Sequence, residues 1–182
     1  MTLTPSSMTP LITSMPSFSL TDPMGSLHRD TNLPAQPVLI AFICNHCPYV
    51  RHIADAFSEF ARSYSQMGLT VVAINSNDFE NYPEDSPERM REEIAARGYT
   101  FPYLVDETQE VAHAFGAACT PDFFLYDANH RLVYRGQFDD SRPGNGEPVS
   151  GKDLRAAVDA VLAGGKPDEE QTPSVGCNIK WK

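Results

Sequence analysis

The sequence predicts an α/β domain in which a mixed sheet is covered by helices, and three features carry that prediction. Residues 37–43 form an uninterrupted apolar run rich in β-branched residues, and Leu69-Thr70-Val71-Val72-Ala73-Ile74 reads as a second buried strand. Between them the apolar residues Tyr49, Val50, Ile53, Ala54, Phe57, Phe60, Ala61 and Tyr64 recur at helical spacing. Strand, helix and strand within about forty residues make a parallel βαβ unit with a right-handed crossover. Two further segments, Phe123-Phe124-Leu125-Tyr126 and Arg131-Leu132-Val133-Tyr134-Arg135, flank the turn-forming Asp127-Ala128-Asn129-His130 and read as an antiparallel hairpin. A strand apolar along its whole length is buried on both faces, the habit of a central strand between helical layers.

The remaining elements follow from local signals. After a short Phe18-Ser19-Leu20 alternation comes a turn at Asp22-Pro23-Met24-Gly25, then the first buried strand. Pro48 suits the first turn of the following helix, where a missing N–H costs nothing. Ser86 as N-cap, Pro87 behind it and Gly98 as a stop bound a second helix. A short helix is expected over residues 109–115 and a last one over 151–163, where Leu154, Ala157, Val158, Val161 and Leu162 share a stripe. Residues 1–15 are rich in Ser, Thr and Pro and are expected to be a loosely attached arm. Residues 16–163 make the domain, and 164–182 a tail expected to dock, because it holds the single Trp and a Cys.

A chain of 182 residues is long enough to bury one sizeable core. A formal net charge of −10 argues against a nucleic-acid backbone or an anionic membrane as partner, since both would be repelled. About half of that charge lies in residues 75–95, from Asp78, Glu80, Glu84, Asp85, Glu88, Glu92 and Glu93 against Arg89 and Arg91. This run reads as a solvated helix face with its preceding loop, or as a docking surface for a basic partner. The first eighteen residues hold no basic residue and no long apolar run, so no secretory signal is expected. A reducing, cytoplasmic location follows as the expectation, and there a close cysteine pair reads as catalytic or metal-binding before structural.

The chemistry centres on Cys44-Asn45-His46-Cys47, placed between a buried strand and a helix. Free backbone N–H groups and the positive helix end favour a thiolate on Cys44, so its pKa is expected to fall. Cys47 is close enough to resolve a mixed disulfide formed by Cys44. His46, when protonated, would add to the stabilisation of the Cys44 thiolate; its plainer reading is an exposed histidine. Zinc sites also use C-x-x-C, but a zinc ribbon wants a second such pair, and this chain has none.

These residues resemble the thioredoxin superfamily, and more closely its redoxin branch of AhpC/TSA-like and TlpA/ResA-like proteins. The resemblance rests on Phe42-Ile43-Cys44-Asn45-His46-Cys47-Pro48, on Thr120-Pro121-Asp122-Phe123-Phe124-Leu125 and on the hairpin that follows. It implies a thioredoxin-like three-layer fold, with an extra helix between the second core strand and a cis-proline loop. It implies that Pro121 is that cis proline and that Thr120 and Pro121 receive an extended substrate segment. The chain departs from minimal thioredoxins at Val38, where they carry a buried acid, so another proton acceptor is required. It departs from peroxiredoxin centres too: Ala41 and Ile40 precede Cys44, and Cys44 and Ile43 precede Cys47, where those centres have Pro and Thr or Ser.

Two more cysteines complete the inventory. Cys119 reads either as a small buried hydrophobe or as a third thiol that relays a disulfide, with Cys177 in the tail as its possible partner. The expected activity is thiol–disulfide exchange through Cys44 and Cys47, with no cofactor. Its partners would be a disulfide- or dithiol-containing protein or small thiol, and an electron donor such as a thioredoxin or glutathione system. A thiol peroxidase is the alternative within the enzymes. A soft-metal-binding protein or metallochaperone, using Cys44, Cys47 and Cys119 or His46, is the alternative from another class.

Overall fold

The structure is a computed structural model that describes residues 2–182. The strands are β1 (Leu3–Pro5), β2 (Ser19–Thr21), β3 (Leu27–Arg29), β4 (Val38–Phe42), β5 (Thr70–Asn75), β6 (Tyr103–Val105), β7 (Cys119–Thr120), β8 (Asp122–Tyr126), β9 (Leu132–Gly136) and β10 (Val175–Asn178). The α-helices are α1 (Pro48–Ser65), α2 (Pro87–Arg97), α3 (Glu110–Phe115) and α4 (Lys152–Leu162). Seven strands form one mixed sheet in the order β3-β2-β6-β5-β4-β8-β9. Within it β4, β5 and β6 run parallel, and β8 returns antiparallel on the other side of β4.

Alternation along β4 explains its uniform apolarity. Leu39 and Ala41 face one core layer, with α1, α4 and Met90 of α2, whereas Val38, Ile40 and Phe42 face the other, with α3 and Phe18. Val50, Ile53, Phe57 and Phe60 of α1 are buried in the first layer. At about 1.5–3 kcal/mol for each such side chain, this stripe holds the helix and the cysteine pair at its start against the sheet. Helix α2 lies between β5 and β6 in the chain, ahead of the Thr120–Pro121 loop, with the Ser86 hydroxyl accepting from the Arg89 N–H and Gly98 closing it at φ 65°. No helix among the described residues is long and apolar enough to cross a membrane.

The N-terminal segment differs from the loose arm that its composition suggests. Strand β1 pairs antiparallel with β10, and β10 pairs in turn with β7, making a second sheet of three strands. Ser6 donates to the Asp122 carboxylate at 2.7 Å and Ser14 bridges to Arg131. These partners are over a hundred residues away in sequence, so no local pattern could have announced them. The tail is held at several points: Lys180 N–H donates to Asn77, its carbonyl accepts from Asp78 N–H and from Gln109, and Trp181 stacks on His113.

Candidate functional site

Strand β4 ends at Phe42 and helix α1 begins at Pro48, so Cys44 to Cys47 form the link between them. Cys47 is the N-cap residue, its carbonyl accepting from the Val50 and Arg51 N–H groups. Asn45 pins the link from the side. Its N–H donates to Asp85 at 2.7 Å, its side-chain N–H to the Glu84 carbonyl at 3.0 Å, and its side-chain oxygen accepts from the Tyr103 hydroxyl at 2.8 Å. The short 3₁₀ turn Pro83–Asp85 is thereby tied to the cysteine loop.

Asp85 is the residue that the sequence reading missed. Counted there among solvated acids, it is 1% exposed and accepts from Asn45 N–H and from the side chains of Asn75 and Asn77. Nδ1 of His46 approaches its other side at 2.6 Å as a close ionic contact. Burial alone would raise the Asp85 pKa, but His46, Asn77 and the Asn45 N–H outweigh it and hold the carboxyl below its ordinary value. His46 is raised in turn, first by its contact with Asp85 and against the effect of its partial burial. The signal that could have found Asp85 is its position immediately before the Ser86-Pro87 helix start, where the chain turns back toward the domain.

Two expectations for the dithiol change as a result. The Cys44 thiol is not held low: burial first, and then the charge of Asp85, push it up to about 12, against a hydrogen bond with Thr120. The His46 ring Nδ1 is turned to Asp85, while the His46 backbone N–H is among the groups that lower the Cys44 pKa against its burial. The donor atoms of Cys44, His46 and Asp85 lie within 4.8 Å of one another. Asp85 already accepts from three donors, Asn45 N–H and the Asn75 and Asn77 side chains, and His46 pairs with it as a close ionic contact beside the Cys44 thiol. His46, Pro48, Tyr82, Glu84 and Lys180 line an open cavity next to it.

Cys47 is joined to Cys177 by a disulfide across 130 residues, with Cα atoms 6.3 Å apart, while Cys44 and Cys119 are free and buried. The Cys119–Cys177 link, one of the alternatives open from the sequence, is therefore excluded, and Cys119 is the small buried residue of the other reading. In the antiparallel ladder of β10 and β7, Asn178 stands opposite Cys119 and Cys177 stands opposite Thr120. Side chains alternate between faces, so Cys119 and Cys177 point to opposite sides of the sheet. Cys119 is turned away from the dithiol, with its sulfur 3.7 Å from the Pro121 carbonyl.

Thr120 is the meeting point. Its hydroxyl lies 3.4 Å from the Cys44 sulfur, its carbonyl oxygen 3.4 Å from the Cys47 sulfur, and its backbone pairs with Cys177. The Thr120–Pro121 peptide bond is cis. The backbone edge of Thr120 assigned to substrate from the resemblance is occupied by the chain's own β10.

Asp122, directly after this loop, is fully buried, and burial raises its pKa to about 7 against hydrogen bonds from Ser6 and the Ala118, Cys119 and Phe123 N–H groups. A carboxyl raised from 3.8 in the unfolded chain to about 7 in the fold binds its proton more tightly when folded. Its contribution is present in full below pH 3.8 and is lost as pH rises through about 7. The unfolding free energy of the protein should carry a loss of about 4 kcal/mol over that window. Denaturant titrations from pH 4 to 8 should show this slope, and Asp122→Asn should flatten it.

A sheet with helices on both faces, a cysteine pair at a strand–helix junction and a Thr-Pro loop against it define a thioredoxin-fold protein. The chain belongs to the AhpC/TSA family, whose model matches residues 12–135. It is 27% identical over 117 residues to a protein named thiol-disulfide oxidoreductase ResA from Geobacillus thermodenitrificans, a match covering 64% of this chain and 63% of that relative's length. A crystal structure of a hypothetical protein from Sinorhizobium meliloti 1021 is 54% identical and superposes with a TM-score of 0.97 over 98% of each chain. The fold alone is shared with a secreted disulfide oxidoreductase of Mycobacterium tuberculosis, at 18% identity and a TM-score of 0.62 over 79% of this chain and 95% of that one.

Proposed function

We propose that this protein is a thiol–disulfide oxidoreductase whose Cys44 and Cys47 exchange a disulfide with a protein or small-molecule partner. The observation that carries the reading is the convergence of both sulfurs on Thr120 at the junction of β4 and α1. In the reducing direction one thiolate attacks the substrate disulfide, expels a substrate thiolate and forms a mixed disulfide. The second cysteine then attacks its neighbour's sulfur, releasing reduced substrate and leaving the Cys44–Cys47 disulfide. A thioredoxin-type dithiol, or two molecules of a glutathione-type thiol, restores the thiols and is itself oxidised to a disulfide. The name of the Geobacillus relative supports the same reaction class.

Cys44→Ser should reduce turnover of a protein disulfide to the uncatalysed rate, and Cys47→Ser should accumulate an adduct on Cys44. Both are read by a disulfide-reduction assay and intact-mass spectrometry. Full exchange activity in both variants would remove the reading. Because the Cys44 thiol is raised to about 12, a step limited by its thiolate should accelerate about tenfold per pH unit from pH 7 to 9. A rate independent of pH over that range would assign the attack to another group.

A further inference from the structure

We propose that Cys177 is a third redox-active cysteine of this site, and that the protein's oxidised form is a pair of disulfide isomers sharing Cys47. The inference rests on the thiol–disulfide reading above and adds to it a residue supplied by the tail. It starts from geometry: Cys44, Cys47 and Cys177 all meet Thr120, one through its hydroxyl, one through its carbonyl and one through the strand ladder. Cys47 is already bonded to Cys177. Cys44 is the free thiol on the same loop.

The exchange balances without any external redox partner. The Cys44 thiolate attacks the Cys47 sulfur, the Cys44–Cys47 bond forms, the Cys47–Cys177 bond breaks, and Cys177 leaves as a thiolate that takes up the proton lost by Cys44. Both isomers carry one disulfide and one thiol among the three cysteines, so the oxidation level is unchanged. Reduction of either isomer takes two electrons and two protons from a dithiol, which becomes a disulfide.

Strand β10 is built to present Cys177 there rather than arriving by chance. Gly176 beside it is packed so closely on Thr120 that an added Cβ would stand 2.0 Å from the Thr120 carbonyl oxygen. Ile179 is 1% exposed, and Asn77, Asp78 and Gln109 hold the backbone of Lys180. The strand thus lies where an extended substrate segment would pair with Thr120, and its cysteine is bonded to Cys47, the sulfur that Cys44 attacks when the Cys44–Cys47 bond closes. Cys119 takes no part, since it points to the other face of the ladder.

The test is disulfide mapping by mass spectrometry after acid quenching, across a titration with reduced and oxidised dithiothreitol. The oxidised wild-type protein should contain Cys47–Cys177 and Cys44–Cys47 together, with Cys47–Cys177 in excess. Cys44→Ser should contain Cys47–Cys177 alone, Cys177→Ser should contain Cys44–Cys47, and Cys119→Ala should match the wild type. The oxidation equilibrium constant against dithiothreitol should fall in Cys177→Ser by a factor of one plus the wild-type ratio of the two isomers. Absence of Cys47–Cys177 from the wild type at every potential would overturn the proposal. So would a Cys47–Cys177 bond that persists alone in the wild type with Cys44 always a thiol, which would mark it as a structural staple. The wild-type map needs no variant to fold. Loss of the isomer pair with Cys44-dependent turnover intact removes only this inference, whereas full turnover in both Cys44→Ser and Cys47→Ser removes the reading beneath it.

Discussion

Asp85→Ala should lower the unfolding free energy by about 3–5 kcal/mol, the cost typical of removing one partner from a buried charge pair. The carboxylate is the common acceptor for Asn45 N–H, the Asn75 and Asn77 side chains and, through its ionic contact, His46. Alanine would leave the buried Asn45 N–H and the Asn77 side-chain donor without this acceptor, while Asn75 keeps the Tyr103 hydroxyl. The effect should reach the dithiol as well, because Asn45 N–H loses the anchor that ties the Cys44–Cys47 link to the 3₁₀ turn. Asp85→Asn separates the two roles. It keeps an acceptor oxygen and removes the charge that helps raise Cys44, so the pH profile of Cys44 alkylation should move to lower pH. Chemical denaturation checks the first outcome, and alkylation rates from pH 7 to 10 check the second. An unshifted profile would show that Asp85 is structural only.

Gly176→Ala should be the other severe substitution, destabilising the oxidised protein by about 1–3 kcal/mol, the usual range for forcing a methyl group into a packed site. The obstacle is backbone: the new Cβ would meet the Thr120 carbonyl oxygen at 2.0 Å and its carbon at 2.8 Å, so no side-chain rotation relieves it. Strand β10 must move away from β7, and Cys177 moves with it. A lower yield of Cys47–Cys177 on oxidation should therefore accompany the loss of stability. Gly165→Ala is the matched control, because its nearest neighbour lies at 3.4 Å. Its effect should stay within about 0.5 kcal/mol. Equal effects at both positions would mean that the packing against Thr120 is unimportant.

The contrast between Asp85 and Ser86 shows where legibility ended. Ser86 was readable as an N-cap because capping is decided within four residues, and its hydroxyl does accept from Arg89 N–H. Asp85 carries the same acidic signature as its exposed neighbours, and its burial depends on Asn45, forty residues earlier. The thiol pKa failed in the same manner. Position at a helix start argues for a low value, but desolvation by burial and the nearby Asp85 anion reverse the sign.

The sequence by itself determined the α/β architecture, the order of its central strands and helices, and the placement of Cys44 and Cys47 at the strand–helix junction. These rest on periodicity, capping and turn chemistry, all of which act over a few residues. Only the tertiary structure decided that the N-terminal segment is a strand, that Asp85 is the buried carboxylate beside the dithiol, and that Cys47 bonds to Cys177 rather than leaving Cys177 for Cys119. Each depends on ladder register or on contacts across many tens of residues, and a one-residue change of register sends a side chain to the opposite face.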